Sequence, residues 1–112
     1  MAADLGHRRR ERRAAMPRVI LSPGALRDLK RLREFLRPKS IEAAQRSASV
    51  IIKAIQVLGL QPGIGRPAED LGPDYRELPI DFGSSGYLAL YRLVGEDVII
   101  LALRHQLEDK YT

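Results

Sequence analysis

The stretch Tyr75–Tyr111, YRELPIDFGSSGYLALYRLVGEDVIILALRHQLEDKY, decides the fold. Its apolar residues come in three runs broken by short turn signals, the pattern of consecutive strands joined by tight turns. In the first run, Tyr75 to Phe82, the residues Arg76, Leu78, Ile80 and Phe82 alternate with Tyr75, Glu77, Pro79 and Asp81. Pro79 has no N–H to give a ladder, so this strand belongs at an edge or turns that position outward. Gly83-Ser84-Ser85 separates it from Gly86–Val94, and Gly95-Glu96-Asp97 separates that run from Val98–Leu103. The last run is apolar on both faces, which marks a strand covered on both sides.

Upstream, two helices are legible. Ser22-Pro23 supplies a capping hydroxyl and a proline preset for the first helical position. Ala25, Leu29, Leu32 and Leu36 then form one apolar stripe, with Arg27, Lys30, Arg31, Arg33 and Arg37 on the other faces. Pro38 ends that helix near Arg37. Ser40 caps a second, whose stripe runs through Ile41, Ala44, Ala48, Ile51, Ile55 and Leu58 until Gly59 stops it. So short a connection predicts an antiparallel hairpin. Ahead of the hairpin, Pro17-Arg18-Val19-Ile20-Leu21 is a short apolar run suited to a buried strand. Pro62, Gly63, Gly65, Pro67, Gly72 and Pro73 make Gln61–Asp74 read as a loop. Its glycines match no phosphate-cradling pattern.

The order strand, helix, helix, strand, strand, strand predicts an α+β domain, β-α-α-β-β-β, with a mainly antiparallel sheet and a two-helix hairpin packed on one face. Only one face of the sheet then has a cover from this chain. A partner is the expected source of the other.

Composition narrows the function. The 112 residues suit one domain with a modest core. There is no cysteine, and His7 and His105 are the only histidines, so neither disulfides nor a His-rich or thiolate metal site is expected, and no cofactor. No apolar run approaches the roughly 20 residues that span a bilayer, and a soluble, cytoplasmic protein is expected. The net charge of +5 is uneven, with Arg8, Arg9, Arg10, Arg12 and Arg13 standing against Asp4 and Glu11 in residues 1–15. Those residues read as a basic, disordered N-terminal extension ahead of a domain at 16–112. Two accounts of the extension stand: translation from upstream of a natural start at Met16, or a polybasic arm that engages nucleic acid. The domain keeps 14 basic against 12 acidic residues, with two phenylalanines and no tryptophan. That is a poor composition for a plain nucleic-acid-binding module.

Several local motifs, in order, carry a resemblance. They are Val19-Ile20-Leu21-Ser22-Pro23 with Ala25 and Asp28-Leu29, then Gly65-Arg66 and Arg76-Glu77-Leu78. Tyr87-Leu88-Ala89-Leu90-Tyr91-Arg92 and Val98-Ile99-Ile100-Leu101-Ala102-Leu103-Arg104-His105 complete the set. Together they resemble the RelE/ParE superfamily of toxins from type II toxin-antitoxin systems. The resemblance implies growth inhibition, a cognate antitoxin held in a hetero-oligomer with the toxin, and a role in plasmid stabilisation. It also implies one of two targets: DNA gyrase, inhibited by binding in ParE-like members, or the ribosome and its mRNA, cut by RelE-like endoribonucleases.

RNA cleavage requires a base for the 2′-hydroxyl, cations for the phosphate and an acid for the leaving oxygen. The candidates for those roles are Arg66, Arg76, Arg92, Arg104, His105, Glu108, Lys110 and Tyr111. After the last strand, however, the chain reads Gln106-Leu107-Glu108-Asp109, whose carboxylates repel phosphate. His105 at the strand's end is similar to the ParE side. The reading therefore favours gyrase inhibition without catalysis, with Arg76, Arg92, Arg104 and His105 as target-binding candidates. Each has a plainer account beside it. Arg76 and Arg92 can snorkel at the core's rim, His105 can cap the sheet, and Tyr87 and Tyr91 read as packing residues rather than stacking platforms.

Overall fold

The structure is a computed structural model, and it describes residues 17–111. The first 15 residues, with both accounts of them, lie outside that range. Strand β1 (Val19–Leu21) leads into helix α1 (Pro23–Leu36) and helix α2 (Ile41–Gln56), which closes with a 3₁₀ turn at Val57–Gly59. Four strands follow: β2 (Arg66–Pro67), β3 (Tyr75–Phe82), β4 (Ser85–Val94) and β5 (Asp97–His105).

Both expected caps form. The Ser22 hydroxyl accepts from the Ala25 N–H at 3.1 Å and the Ser40 hydroxyl from the Ala43 N–H at 3.1 Å. The α1 stripe faces inward as its spacing requires, and so does the α2 stripe from Ala44 to Leu58. Ile41 departs from it, 62% exposed. It occupies the first turn of α2, at the tip of the hairpin, beyond the reach of the sheet.

The sheet has five strands in the order β1-β5-β4-β3-β2. The β2–β3–β4–β5 pairings are antiparallel, while β1 lies parallel to β5 with Ile20 opposite Ile99, so the sheet is mixed. Two-residue turns at Gly83-Ser84 and Gly95-Glu96 join the long strands, with φ of 64° and 60° at the glycines. β2 arises inside the segment expected to be pure loop. Its partners, Glu77 opposite Arg66 and Arg76 opposite Pro67, lie about ten residues further along, beyond any local signal.

Register sorts the side chains. Tyr87, Ala89, Tyr91, Leu103, Ile100 and Val98 turn toward the helices and join Ala25, Leu32, Ile51, Ile55, Leu58 and Ile80 in the core. Each such aliphatic side chain contributes about 1.5–3 kcal/mol by leaving water. Tyr91 is fully buried with its hydroxyl satisfied twice. It accepts from the Gly65 N–H at 2.9 Å and donates to the Pro62 carbonyl at 2.7 Å, pinning the breaker-rich loop to the core.

β1 covers only the first part of the outer edge of β5. Beyond it, side chains replace a strand. The Ser22 hydroxyl donates to the Leu101 carbonyl (3.1 Å), the buried Asp28 carboxylate accepts from the Leu103 N–H (2.9 Å), and Glu108 accepts from the His105 N–H (2.8 Å). Arg31 donates to the Leu103 carbonyl (3.4 Å) and holds Glu108 at 3.1 Å. A buried N–H left without such a partner costs about 1–3 kcal/mol, which accounts for a carboxylate inside the α1–β5 contact.

Candidate target-binding face

The second face of the sheet, away from the helices, carries Tyr75, Glu77 and Pro79 from β3, Leu88, Leu90 and Arg92 from β4, and Ala102 and Arg104 from β5, as the alternation of the ladder dictates. Leu88 and Leu90 are only 5% and 8% exposed although no helix covers them. The tail after β5 supplies the cover. Gln106 donates its N–H to the Gly86 carbonyl at 2.8 Å, and the chain then brings Tyr111 back to β3, where its hydroxyl donates to Glu77 Oε2 at 2.7 Å. The expected second layer is thus provided in part by this chain.

Three of the basic and aromatic candidates meet here. Arg66 reaches Glu77 Oε1 from β2 at 3.3 Å, and the Arg104 guanidinium lies 5.1 Å from the centre of the Tyr111 ring while donating to the Glu108 carbonyl. Arg92 stands on the same face, exposed, its guanidinium 5.4 Å from the centre of the Tyr75 ring. Glu77 joins the cluster, 19% exposed, a residue that sequence reasoning passed over. Its outward place in the alternation of β3 was the available signal.

The remaining candidates lie elsewhere. Arg76 turns to the helix side and donates to the Gly65 carbonyl at 2.6 Å, beside Tyr91. His105, opposite Tyr87 in the ladder, also turns to the helix side, and its ring stands edge-on to Tyr87 at 5.5 Å. Its Nδ1 accepts from the Leu107 N–H at 3.1 Å, so a neutral ring carries its proton on Nε2, toward the Ser85 hydroxyl at 3.1 Å. That tautomer cannot take a proton from Ser85. Glu108 sits at the β5 edge between Arg31 and the His105 N–H, and Lys110 is exposed. A groove of about 820 Å³ opens on the helix side, between Leu32 and Phe35 of α1 and Phe82, Tyr87, His105 and Leu107. Among the described residues, no three His, Cys, Asp or Glu side chains gather as metal ligands would, and no helix is long and apolar enough to cross a membrane.

Burial pushes the Tyr111 hydroxyl far above the usual tyrosine range, and the hydrogen bond to Glu77 and its negative charge add to this against the opposing Arg104. Tyr87 and Tyr91 are raised by burial too. Folded tyrosines that hold their protons more tightly stabilise the fold fully below the unfolded value, about pH 10, and the contribution falls as pH rises beyond it. Stability should therefore fall between pH 10 and pH 12, by at most about 1.4 kcal/mol per pH unit for each tyrosine, and the thermal midpoint with it. Tyr111→Phe should flatten the slope. An unchanged slope in that variant would show that Tyr111 is not held in this way.

Comparison with known proteins places these features in context. A family model described as the ParE toxin of type II toxin-antitoxin system, parDE, matches residues 19–110. Two relatives from Caulobacter vibrioides are each 36% identical: Toxin RelE3, over 93 residues covering 83% of this chain and 98% of the relative, and Toxin RelE1, over 92 residues covering 82% and 96%. A solved structure titled as a chromosomal ParDE TA system from P. aeruginosa superimposes with a TM-score of 0.68 at 22% identity, over 81% of this chain and 97% of that one. That likeness bears on the fold alone.

Proposed function

Because the chain belongs to the ParE toxin family of type II toxin-antitoxin systems, we propose that it arrests growth by binding and inhibiting DNA gyrase in the cytoplasm, without catalysis, until a cognate antitoxin neutralises it. One observation carries the choice of mechanism. The groups able to move protons are divided between the two faces and spent on internal bonds: His105 on Leu107 and Ser85, Glu108 on Arg31 and the His105 N–H, Tyr111 on Glu77. A ribonuclease needs its base and acid on either side of one phosphate. Binding needs only a pre-formed surface, and Arg66, Arg92, Arg104 and Tyr111 stand on one face of a rigid sheet, rich in the arginine and tyrosine that dominate binding energies.

Ribosome-dependent mRNA cleavage is the second reading, favoured by the meeting of Arg66, Arg104 and Tyr111 and by the RelE names of the relatives. A plain nucleic-acid-binding module fits less well, since Glu77 sits amid those cations. Purified toxin added to a gyrase supercoiling reaction, with transcript integrity followed during controlled expression, separates the readings. Supercoiling lost while transcripts stay whole is the expected result. Transcripts cut during translation with supercoiling intact would move the mechanism to the ribosome.

A further inference from the structure

The Glu77 carboxylate divides its two oxygens between opposite ends of the second face. Oε1 holds Arg66, which arrives from β2 with Nη2 at 3.3 Å and Nε at 3.4 Å, and Oε2 accepts the Tyr111 hydroxyl at 2.7 Å. These partners come from 11 residues before Glu77 and 34 residues after it. Glu77 itself is fixed by its place in β3, opposite Leu90 on one side and Arg66 on the other. Its side chain is 19% exposed whereas that of Arg66 is 58% exposed. The acceptor is sheltered and the cation it orients faces solvent. Tyr111 in turn lies under the Arg104 guanidinium, so a single carboxylate sets the geometry of Arg66 directly and of Arg104 through one aromatic ring.

We infer that Glu77 is a positioning residue for target recognition: it makes no contact with the target but holds Arg66, Tyr111 and through it Arg104 in the arrangement that meets an acidic or hydrogen-bond-accepting protein surface. The inference rests on the reading of this face as the target-binding one. Long arginine and tyrosine side chains lose rotamer freedom when they bind, and a clamp that orders them beforehand removes that loss from the binding step. Glu77 also keeps the two ends of the face, the β2 loop and the C-terminal tail, at a fixed separation. A glutamine at 77 retains one acceptor oxygen and presents an N–H₂ in place of the other. Its oxygen can still accept from Arg66 while its N–H₂ donates to the Tyr111 hydroxyl, but the negative charge that strengthens both contacts is lost.

The test measures toxin potency per folded molecule, as growth arrest under titrated expression and as supercoiling inhibition by purified protein, with thermal midpoints in parallel. Glu77→Ala should weaken potency about tenfold, and Glu77→Gln should fall between it and the wild type. Tyr111→Phe or Arg66→Ala, added to Glu77→Ala, should cost much less than alone, because the clamp is already open. A stability role alone lowers the midpoint and leaves potency per folded molecule unchanged, and that result would overturn the inference. So would additive losses in the double variants. If wild-type toxin arrests growth yet spares supercoiling, the gyrase reading falls, and the same non-additive pattern in growth arrest still supports Glu77. Should Glu77→Ala fail to fold, the Glu77→Gln and Tyr111→Phe pair carries the cycle.

Discussion

Gly86→Ala is expected to prevent stable folding. At Gly86 the added methyl would overlap the carbonyl oxygen of Ile80 and press on the Asp81 backbone, both in the strand paired with β4. Neither is the end of a flexible side chain, so the β3–β4 hairpin itself must open. The Gly86 carbonyl also accepts from the Gln106 N–H, so movement there carries to the tail over the second face. Forced overpacking against backbone costs about 3 kcal/mol or more, which in a domain of this size lowers the thermal midpoint by at least about 12 °C. Circular dichroism melts of the variant, produced together with the antitoxin, give the measurement. A midpoint within a few degrees of wild type would mean that the strands part here more easily than their register implies.

The second large effect is functional. Arg104→Ala should abolish growth arrest, raising the toxin level needed by at least about thirtyfold, the consequence of losing ~2 kcal/mol at an arginine hot spot. Arg104 acts in two ways. Its guanidinium stands on the second face over the Tyr111 ring, and it ties the tail by donating to the carbonyls of Glu108 and, at 3.4 Å, His105. Arg104→Lys keeps the charge without the planar stack and the forked donors, and should recover only part of the potency. Folded Arg104→Ala protein that still arrests growth at wild-type levels would remove this face from target recognition. His105→Ala offers a contrast, because His105 lies on the helix side at the groove and its loss should act through the Ser85 and Leu107 contacts.

That contrast marks where sequence reasoning worked and where it stopped. The two apolar stripes, the serine caps and the three strands of Tyr75–Tyr111 were legible because each depends on residues within one or two turns or a single alternation. Arg104 and His105 stand together among the four target-binding candidates, with Arg76 and Arg92. Adjacent residues on a strand point to opposite faces, so the structure assigns them to different surfaces. The links that build the site span long distances in the chain: Tyr111 to Glu77 across 34 residues, Arg31 to Glu108 across 77, Asp28 to Leu103 across 75. No local pattern encodes such pairings. Asp28 illustrates the limit well: in the sequence it is one residue of the Asp28-Leu29 motif, and its buried carboxylate finds a purpose only when the edge of β5 is set beside it. Tyr91 fared better, since a tyrosine amid apolar neighbours already reads as packing, and only the use of its hydroxyl to hold Pro62 and Gly65 was hidden.

The occupied edge of β5 also governs how copies of this protein can meet. A sheet with two bare edges is a template at both ends and can grow without limit, strand upon strand. Here one end presents the three residues of β1 followed by backbone groups already engaged by Ser22, Asp28, Arg31 and Glu108. At the other end, among the described residues, β3 lacks an outer strand from Leu78 to Phe82, with Pro79 inside that span. Edge-to-edge pairing through that end would leave each molecule showing only the three-residue edge of β1 and, beyond it, an edge filled by side chains, a poor template for a further strand. Ser22, Asp28, Arg31 and Glu108 thereby work against strand-upon-strand growth from that edge.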